Sequence, residues 1–194
     1  MSVSKAKRLL AEASREPVRL RRHLLVAAAL REVFRSEPIV VGGTAEEFWT
    51  ADEYHETDLD VCVPIGAEEK RELGRLGFRR EGRHWVRREV AVEIPDSHID
   101  GDVARTRLEP VSQGAARIIG VEDLYVDRLR QATMSERDEG IDFHSALAVA
   151  GACYEIIDWA YVSKRIRETE AFVGEPMKRI DAKIRRRVRR ELGS

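Results

Sequence analysis

An apolar run that stops on two glycines, and a second that opens on alternating aspartates, do most to restrict what this chain can fold into. Ile39-Val40-Val41 ends at Gly42-Gly43-Thr44, and after a stretch of helical spacing comes Thr57-Asp58-Leu59-Asp60-Val61-Cys62-Val63. A short, near-continuous apolar run predicts a strand over 39–42, buried on both faces. Glycines at its end permit a tight turn into a helix, whose first N–H groups have no partner within the helix and attract anions. Strand alternation then sends Asp58 and Asp60 to one face and Leu59, Val61 and Val63 to the other. The segment predicts strand, helix and strand, with a turn suited to phosphate and a pair of carboxylates suited to a hard cation.

Around it the apolar spacing predicts helices over 4–14 and 17–35, the second with Pro17 near its first turn and Leu20, Leu24, Ala27, Ala28 and Val33 along one stripe. A helix over 45–54 turns Ala45, Phe48 and Trp49 inward, and another over 67–76 closes at Gly77. The strand over 58–63 ends at Pro64. From Phe78 to Ile94 the pattern is an antiparallel meander whose last strand sets Val90, Val92 and Ile94 against Glu89, Ala91 and Glu93. Irregular chain over 95–105 leads to short strands over 107–111 and 115–119. Helices follow over 121–132, 141–152, 155–170 and 175–191, with breaks near Ser135, Gly151 to Cys153 and Gly174. The fold class is α/β with an α+β mixed sheet, in three regions: N-terminal helices packing on the core (1–36), the core (37–120) and a helical C-terminal region (121–194).

The 194 residues carry a net charge of only −1 although 36% are charged, so no global field draws in polyanions and any nucleic-acid contact must be local. Cys62 and Cys153 lie in apolar contexts without metal-ligand spacing, which predicts buried thiols in a reducing compartment. The longest apolar run, Leu24 to Leu30, is too short to span a bilayer, and Lys5, Lys7 and Arg8 precede no signal-peptide core. These features predict a cytoplasmic protein without a membrane partner. His23, His55, His84, His98 and His144 show no ligand spacing and are read as surface or core groups. Trp49, Trp85 and Trp159 are read as core or groove wall.

Glu93, on a strand separate from that of Asp58 and Asp60, also points away from its apolar neighbours. Two aspartates and a glutamate from neighbouring strands suit one or two Mg²⁺ or Mn²⁺ ions and phosphoryl or nucleotidyl transfer. The ordered set Gly42-Gly43-Thr44, Asp58-x-Asp60 and Glu93 resembles the DNA polymerase β-like nucleotidyltransferases. The resemblance implies that Gly42, Gly43 and Thr44 hold the triphosphate of a nucleotide such as ATP, that Asp58, Asp60 and Glu93 are catalytic and bind the metal, and that Glu93 assists deprotonation of an acceptor hydroxyl. Thr44 also suits the N-cap of the helix that follows. Downstream, Glu122-Asp123-Leu124, Arg128-Leu129, Arg137-Asp138 and Ile141-Asp142 resemble the helical segment of small prokaryotic AbiEii-like, minimal nucleotidyltransferases. That likeness implies a nucleotide-contacting role for Arg128, which stands where the pattern commonly has lysine and offers a planar fork in place of a point charge.

From Lys178 to Arg190 the chain holds eight basic residues and one acid, with Ile180, Ile184 and Val188 along one helical stripe. Two readings stay open, a solvated helix docked by that stripe and a patch for an RNA or DNA backbone, which Arg15, Arg19, Arg21 and Arg22 would extend. The expected function is metal-dependent transfer of a nucleoside monophosphate from a nucleoside triphosphate to a hydroxyl of RNA, protein or a small molecule. Toxin-like modification of tRNA, with an antitoxin-like protein partner, fits both the resemblance and the basic tail. The alternative is a non-catalytic nucleotide-sensing or partner-binding module on the same fold. A cluster of three acids that holds no metal repels itself, which weighs against it.

Overall fold

The computed structural model describes residues 2–51, 58–135 and 139–193, and the chain divides into two units. The first holds Met1–Phe48 and Asp52–Ile119, the second Trp49–Ala51 and Gly120–Ser194. The fold is mixed α/β, with a mixed sheet in the first unit and a helical C-terminal region in the second.

In the first unit, helix α1 (Val3–Ala13) starts where the Ser2 hydroxyl accepts the Lys5 N–H at 3.3 Å. Ala6, Leu9, Leu10 and Ala13, at helical spacing, are its buried face and pack on α2 (Arg19–Arg31). Helix α2 is buried continuously from His23 to Leu30, because α1 covers it on one side and the sheet on another. The sheet contains β1 (Ile39–Val40), β2 (Asp58–Cys62), β3 (Arg79–Glu81), β4 (His84–Arg87), β5 (Val90–Glu93), β6 (Arg107–Val111) and β7 (Gly114–Ile118) in the order β3-β4-β5-β2-β1-β7-β6. β1 runs antiparallel to β2 and parallel to β7, and β2 runs parallel to β5. Helices α3 (Gly42–Thr50) and α4 (Ala67–Arg75) follow β1 and β2.

The two glycines are the opening of α3 itself and not a turn ahead of it. Gly42 has φ of +61°, and a Cβ there would lie 2.1 Å from Oδ2 of Asp60, so conformation and space both demand glycine. Residues 52–54 of the helix expected over 45–54, with His55 and Thr57, lie outside the described residues, as does the pair Arg137-Asp138.

The second unit contains α5 (Val121–Met134), α6 (Ile141–Ala152), α7 (Trp159–Glu168) and α8 (Ala171–Leu192), each of which packs on α5. Two helix starts lie four residues from those expected. Helix α7 starts at Trp159 and not near 155, because the Asp158 carboxylate accepts the Ala160 and Tyr161 N–H groups at 3.1 and 3.0 Å. Helix α8 runs through Gly174, where a break was expected. A Cβ at Gly174 would sit 3.0 Å from the Ile166 carbonyl and 3.1 Å from that of Thr169, so glycine here serves the close packing of α8 on the end of α7. The buried stripe of α8 is Gly174, Met177, Asp181, Ile184 and Val188. Asp181 takes the place expected for Ile180. Its carboxylate accepts the Tyr125 hydroxyl at 2.9 Å and Arg185 Nε at 2.8 Å, which satisfies the charge in a buried position.

Candidate metal centre

Leu59 and Val61 are fully buried on one face of β2, which leaves Asp58 and Asp60 together on the other. In the parallel pairing of β2 with β5, Asp60 stands opposite Glu93, and in the antiparallel pairing of β4 with β5, His84 stands opposite the same glutamate. Three adjacent strands therefore deliver Asp58, His84 and Glu93 to one place. His84 Nε2 lies 3.2 Å from Asp58 Oδ2 and 3.4 Å from Glu93 Oε2, and one ligand atom from each of the three residues falls within 4.8 Å of the others. The side chains are 21%, 29% and 17% exposed in chain order, accessible to an ion yet held by regular structure. Arg83 Nε, from a mostly exposed side chain, reaches Glu93 Oε2 at 3.2 Å.

Among the described residues this is the one group of three or more such ligands, and Asp60 is outside it. The Asp60 carboxylate instead lies against Gly42 at the start of α3, where the helix dipole favours negative charge. Thr44 is the third residue of α3 and does not cap it. It is buried, its hydroxyl is 2.9 Å from His23 Nδ1, and it donates a long bond of 3.4 Å to the Asp58 carbonyl. Burial foremost, with the cations of Arg19 and Arg22, lowers the His23 imidazole to about 4 against an upward pull from Asp58. It is neutral at neutral pH, and with the Thr44 hydroxyl turned to Asp58, His23 Nδ1–H is the donor to Thr44. The sites expected from the sequence are thus linked: α3 carries Gly42 against Asp60 and Thr44 against the backbone of Asp58.

His84 is the residue that sequence reasoning missed. Its signal was the hairpin register. A two-residue loop at Arg88-Glu89 pairs Arg87 with Val90 and, three steps outward, His84 with Glu93. Spacing alone, without that loop, shows nothing.

Arg128 lies on α5 in the second unit, with its side chain 6% exposed. Its Nη1 donates to Gln131 Oε1 at 2.8 Å and stands 3.8 Å from Asp127. On α8, Lys178, Lys183, Arg185 and Arg187 each meet a carboxylate, and Arg189 donates to the Tyr154 hydroxyl at 2.7 Å. In the first unit Arg19, Arg21 and Arg22 pair with Glu47, Glu16 and Glu89. Cys62 and Cys153 are both buried, and the Cys153 thiol donates to the Trp49 carbonyl at 3.2 Å. Among the described residues no helix is long and apolar enough to cross a membrane.

No protein-family model matches the chain, and neither a curated protein nor a solved structure matches it.

Proposed function

We propose that this chain is a metal-dependent nucleotidyltransferase of the polymerase β-like type, moving a nucleoside monophosphate from a nucleoside triphosphate to a hydroxyl and releasing pyrophosphate. One observation carries the reading: ligand atoms of Asp58 and Glu93, on adjacent strands, lie within 4.8 Å of each other, while Asp60, the register partner of Glu93, lies against the glycine that opens α3. A dication and a polyphosphate have complementary places there, the first on the carboxylates and the second at first-turn N–H groups.

Asp58, Asp60 and Glu93 would hold Mg²⁺ or Mn²⁺, which when bound neutralises phosphate charge and makes a nearby hydroxyl more acidic. Gly42 leaves room for the Asp60 carboxylate, and a phosphate-binding part for Gly42 and Gly43 rests on the resemblance. The Thr44 hydroxyl, engaged by His23 and the Asp58 carbonyl, keeps α3 and β2 in register and acts on phosphate through that framework. In the transfer the acceptor oxygen bonds to the α-phosphorus and its proton passes to Glu93. The bond to the bridging oxygen breaks, and its electron pair leaves with pyrophosphate. A part for Arg128, an RNA acceptor such as tRNA on basic α8, and an antitoxin-like partner rest on the resemblance and on the charge of α8.

The test incubates the full chain with each labelled nucleoside triphosphate and Mg²⁺ or Mn²⁺, first with total RNA and then with lysate protein. Label on a macromolecule with equimolar pyrophosphate is the expected result, lost in Asp58→Asn. Binding of a nucleoside triphosphate without pyrophosphate release under any condition would favour a nucleotide sensor.

A further inference from the structure

We propose that Asp58, His84 and Glu93 form a site for a first-row transition-metal dication, which His84 selects over Mg²⁺. The proposal concerns the same place as the transfer reading and rests on it only for what the ion is used for; binding itself needs no nucleotide.

The donor set differs from the all-oxygen set expected from the sequence. Mg²⁺ is a hard ion that favours oxygen and retains water, whereas imidazole nitrogen suits the first-row dications, with affinity rising from Mn²⁺ through Fe²⁺ to Co²⁺ and high also for Zn²⁺. One nitrogen and two carboxylate oxygens therefore shift preference away from Mg²⁺.

The spacing also fits. With metal–ligand bonds of about 2.1 Å, neighbouring ligands stand about 3.0 Å apart in octahedral and about 3.4 Å in tetrahedral coordination. The two edges that His84 Nε2 makes with the carboxylates are 3.2 and 3.4 Å. Two of the three edges already have the spans of coordination edges, and the third, between the carboxylates, is no longer than 4.8 Å. All three side chains rise from paired strands, which hold such a constellation more tightly than loops do. Arg83, 72% exposed, leaves Glu93 at small cost because a surface ion pair contributes little.

The rival arrangement is an internal polar triad, in which His84 Nε2 is hydrogen-bonded to the Asp58 carboxylate and no metal enters. The two are separated by stripping the full-length chain with chelator and titrating it, without nucleotide, with Co²⁺ followed by visible absorption and with Mn²⁺, Zn²⁺ and Mg²⁺ followed by calorimetry. The expected result is one Co²⁺ bound with an imidazole-type spectrum. In His84→Gln, whose amide oxygen remains a hard ligand, affinity for Co²⁺ and Zn²⁺ falls by roughly a hundredfold or more, while Mg²⁺ affinity changes less than about threefold. His84→Asn, with matching thermal unfolding, guards against a folding defect in either variant. The proposal is overturned if the stripped protein binds no dication with Asp58 dependence, or if His84→Gln leaves the Co²⁺ spectrum and affinity unchanged. The transfer reading fails on a different result, absence of pyrophosphate release from wild type. Mg²⁺-driven release that His84→Gln leaves intact, beside unchanged Co²⁺ binding, would retain that reading and discard this one.

Discussion

In the first unit Asp58 and Glu93, on adjacent strands, share a histidine within 3.4 Å of both carboxylates, with an exposed arginine beside one of them. In the second, Asp123 is fully enclosed and accepts the Tyr161 hydroxyl at 2.9 Å and Arg165 Nη1 at 2.7 Å. Asp181 is held in the same way by Tyr125 and Arg185, whose guanidinium lies 4.4 Å from the Trp159 ring centroid. Burial foremost, together with Asp181, raises the Tyr125 phenol well above its ordinary range, so this tyrosine is a hydrogen-bond donor at neutral pH. Both regions contain carboxylates near cations, but only in the second is each acid closed off with its partners complete. An acid enclosed with its partners belongs to the framework, whereas Asp58 and Glu93 stay partly exposed beside a histidine, a potential third ligand.

This contrast breaks most directly on substitution. Asp58→Asn should reduce nucleotidyl transfer by about a thousandfold, or about 4 kcal/mol of transition-state stabilisation, while leaving stability within about 1 kcal/mol. Initial rates of pyrophosphate release and urea unfolding of the same preparation check both halves. Asp123→Ala should do the converse. It removes an acceptor from a half-buried arginine and from a tyrosine hydroxyl and should cost about 3 kcal/mol of stability, read as a lower urea midpoint at unchanged slope. If Asp58→Asn unfolds the protein and Asp123→Ala does not, the distinction between the two regions is lost.

Most of this contrast was legible only in part from the sequence, for reasons that differ by residue. Asp58 and Asp60 could be placed on one face because alternation with Leu59 and Val61 is a local property of β2. Gly42 could be marked as special, but not that Asp60 is what presses on it, since that contact crosses from β2 to α3. His84 depends on hairpin register, and Asp181 on a tyrosine 56 positions earlier in the chain. Ile180 and Asp181 are adjacent on α8, and hydropathy alone favours burying the first. Tyr125 and Arg185 reverse that order by satisfying the aspartate. The start of α8 was misplaced because glycine ordinarily weakens a helix, whereas at Gly174 the nearby carbonyls leave room for nothing larger.

A smaller test concerns His23, the buried support behind Thr44. Its imidazole titrates at about 4 in the folded chain and near the ordinary histidine value when unfolded, so the unfolded state binds the proton more readily. Stability from this group is therefore complete above about pH 6.5 and is lost as pH falls from there toward 4, by up to about 3 kcal/mol. Thermal unfolding from pH 7 to 4.5 should fall more steeply for wild type than for His23→Gln. Parallel curves would mean that His23 is as free to protonate in the fold as outside it, and that the first unit lacks the closed framework assigned to this corner.

The least effect is expected at the hairpin that brings His84 to Glu93. Arg88, first of the two loop residues, has φ of +55°, a left-handed conformation that side chains with a Cβ adopt at a cost. A two-residue loop with positive φ at its first position is the one that favours glycine there. Arg88 also adds an unfavourable charge near Arg87, whose guanidinium burial already draws downward in pKa while it donates to the Leu76 carbonyl at 3.0 Å. Arg88→Gly relieves both effects, less the larger chain entropy that glycine has when unfolded, for a net gain of about 0.5 to 1 kcal/mol. The register of β4 and β5 is unchanged by it, so Co²⁺ affinity at Asp58, His84 and Glu93 should stay within about twofold of wild type, since substitutions of separate sites act nearly additively. A rise in melting temperature with the metal site intact would place the strain in the loop alone. A loss of metal affinity would show that the loop's arginine helps set the register on which the site depends.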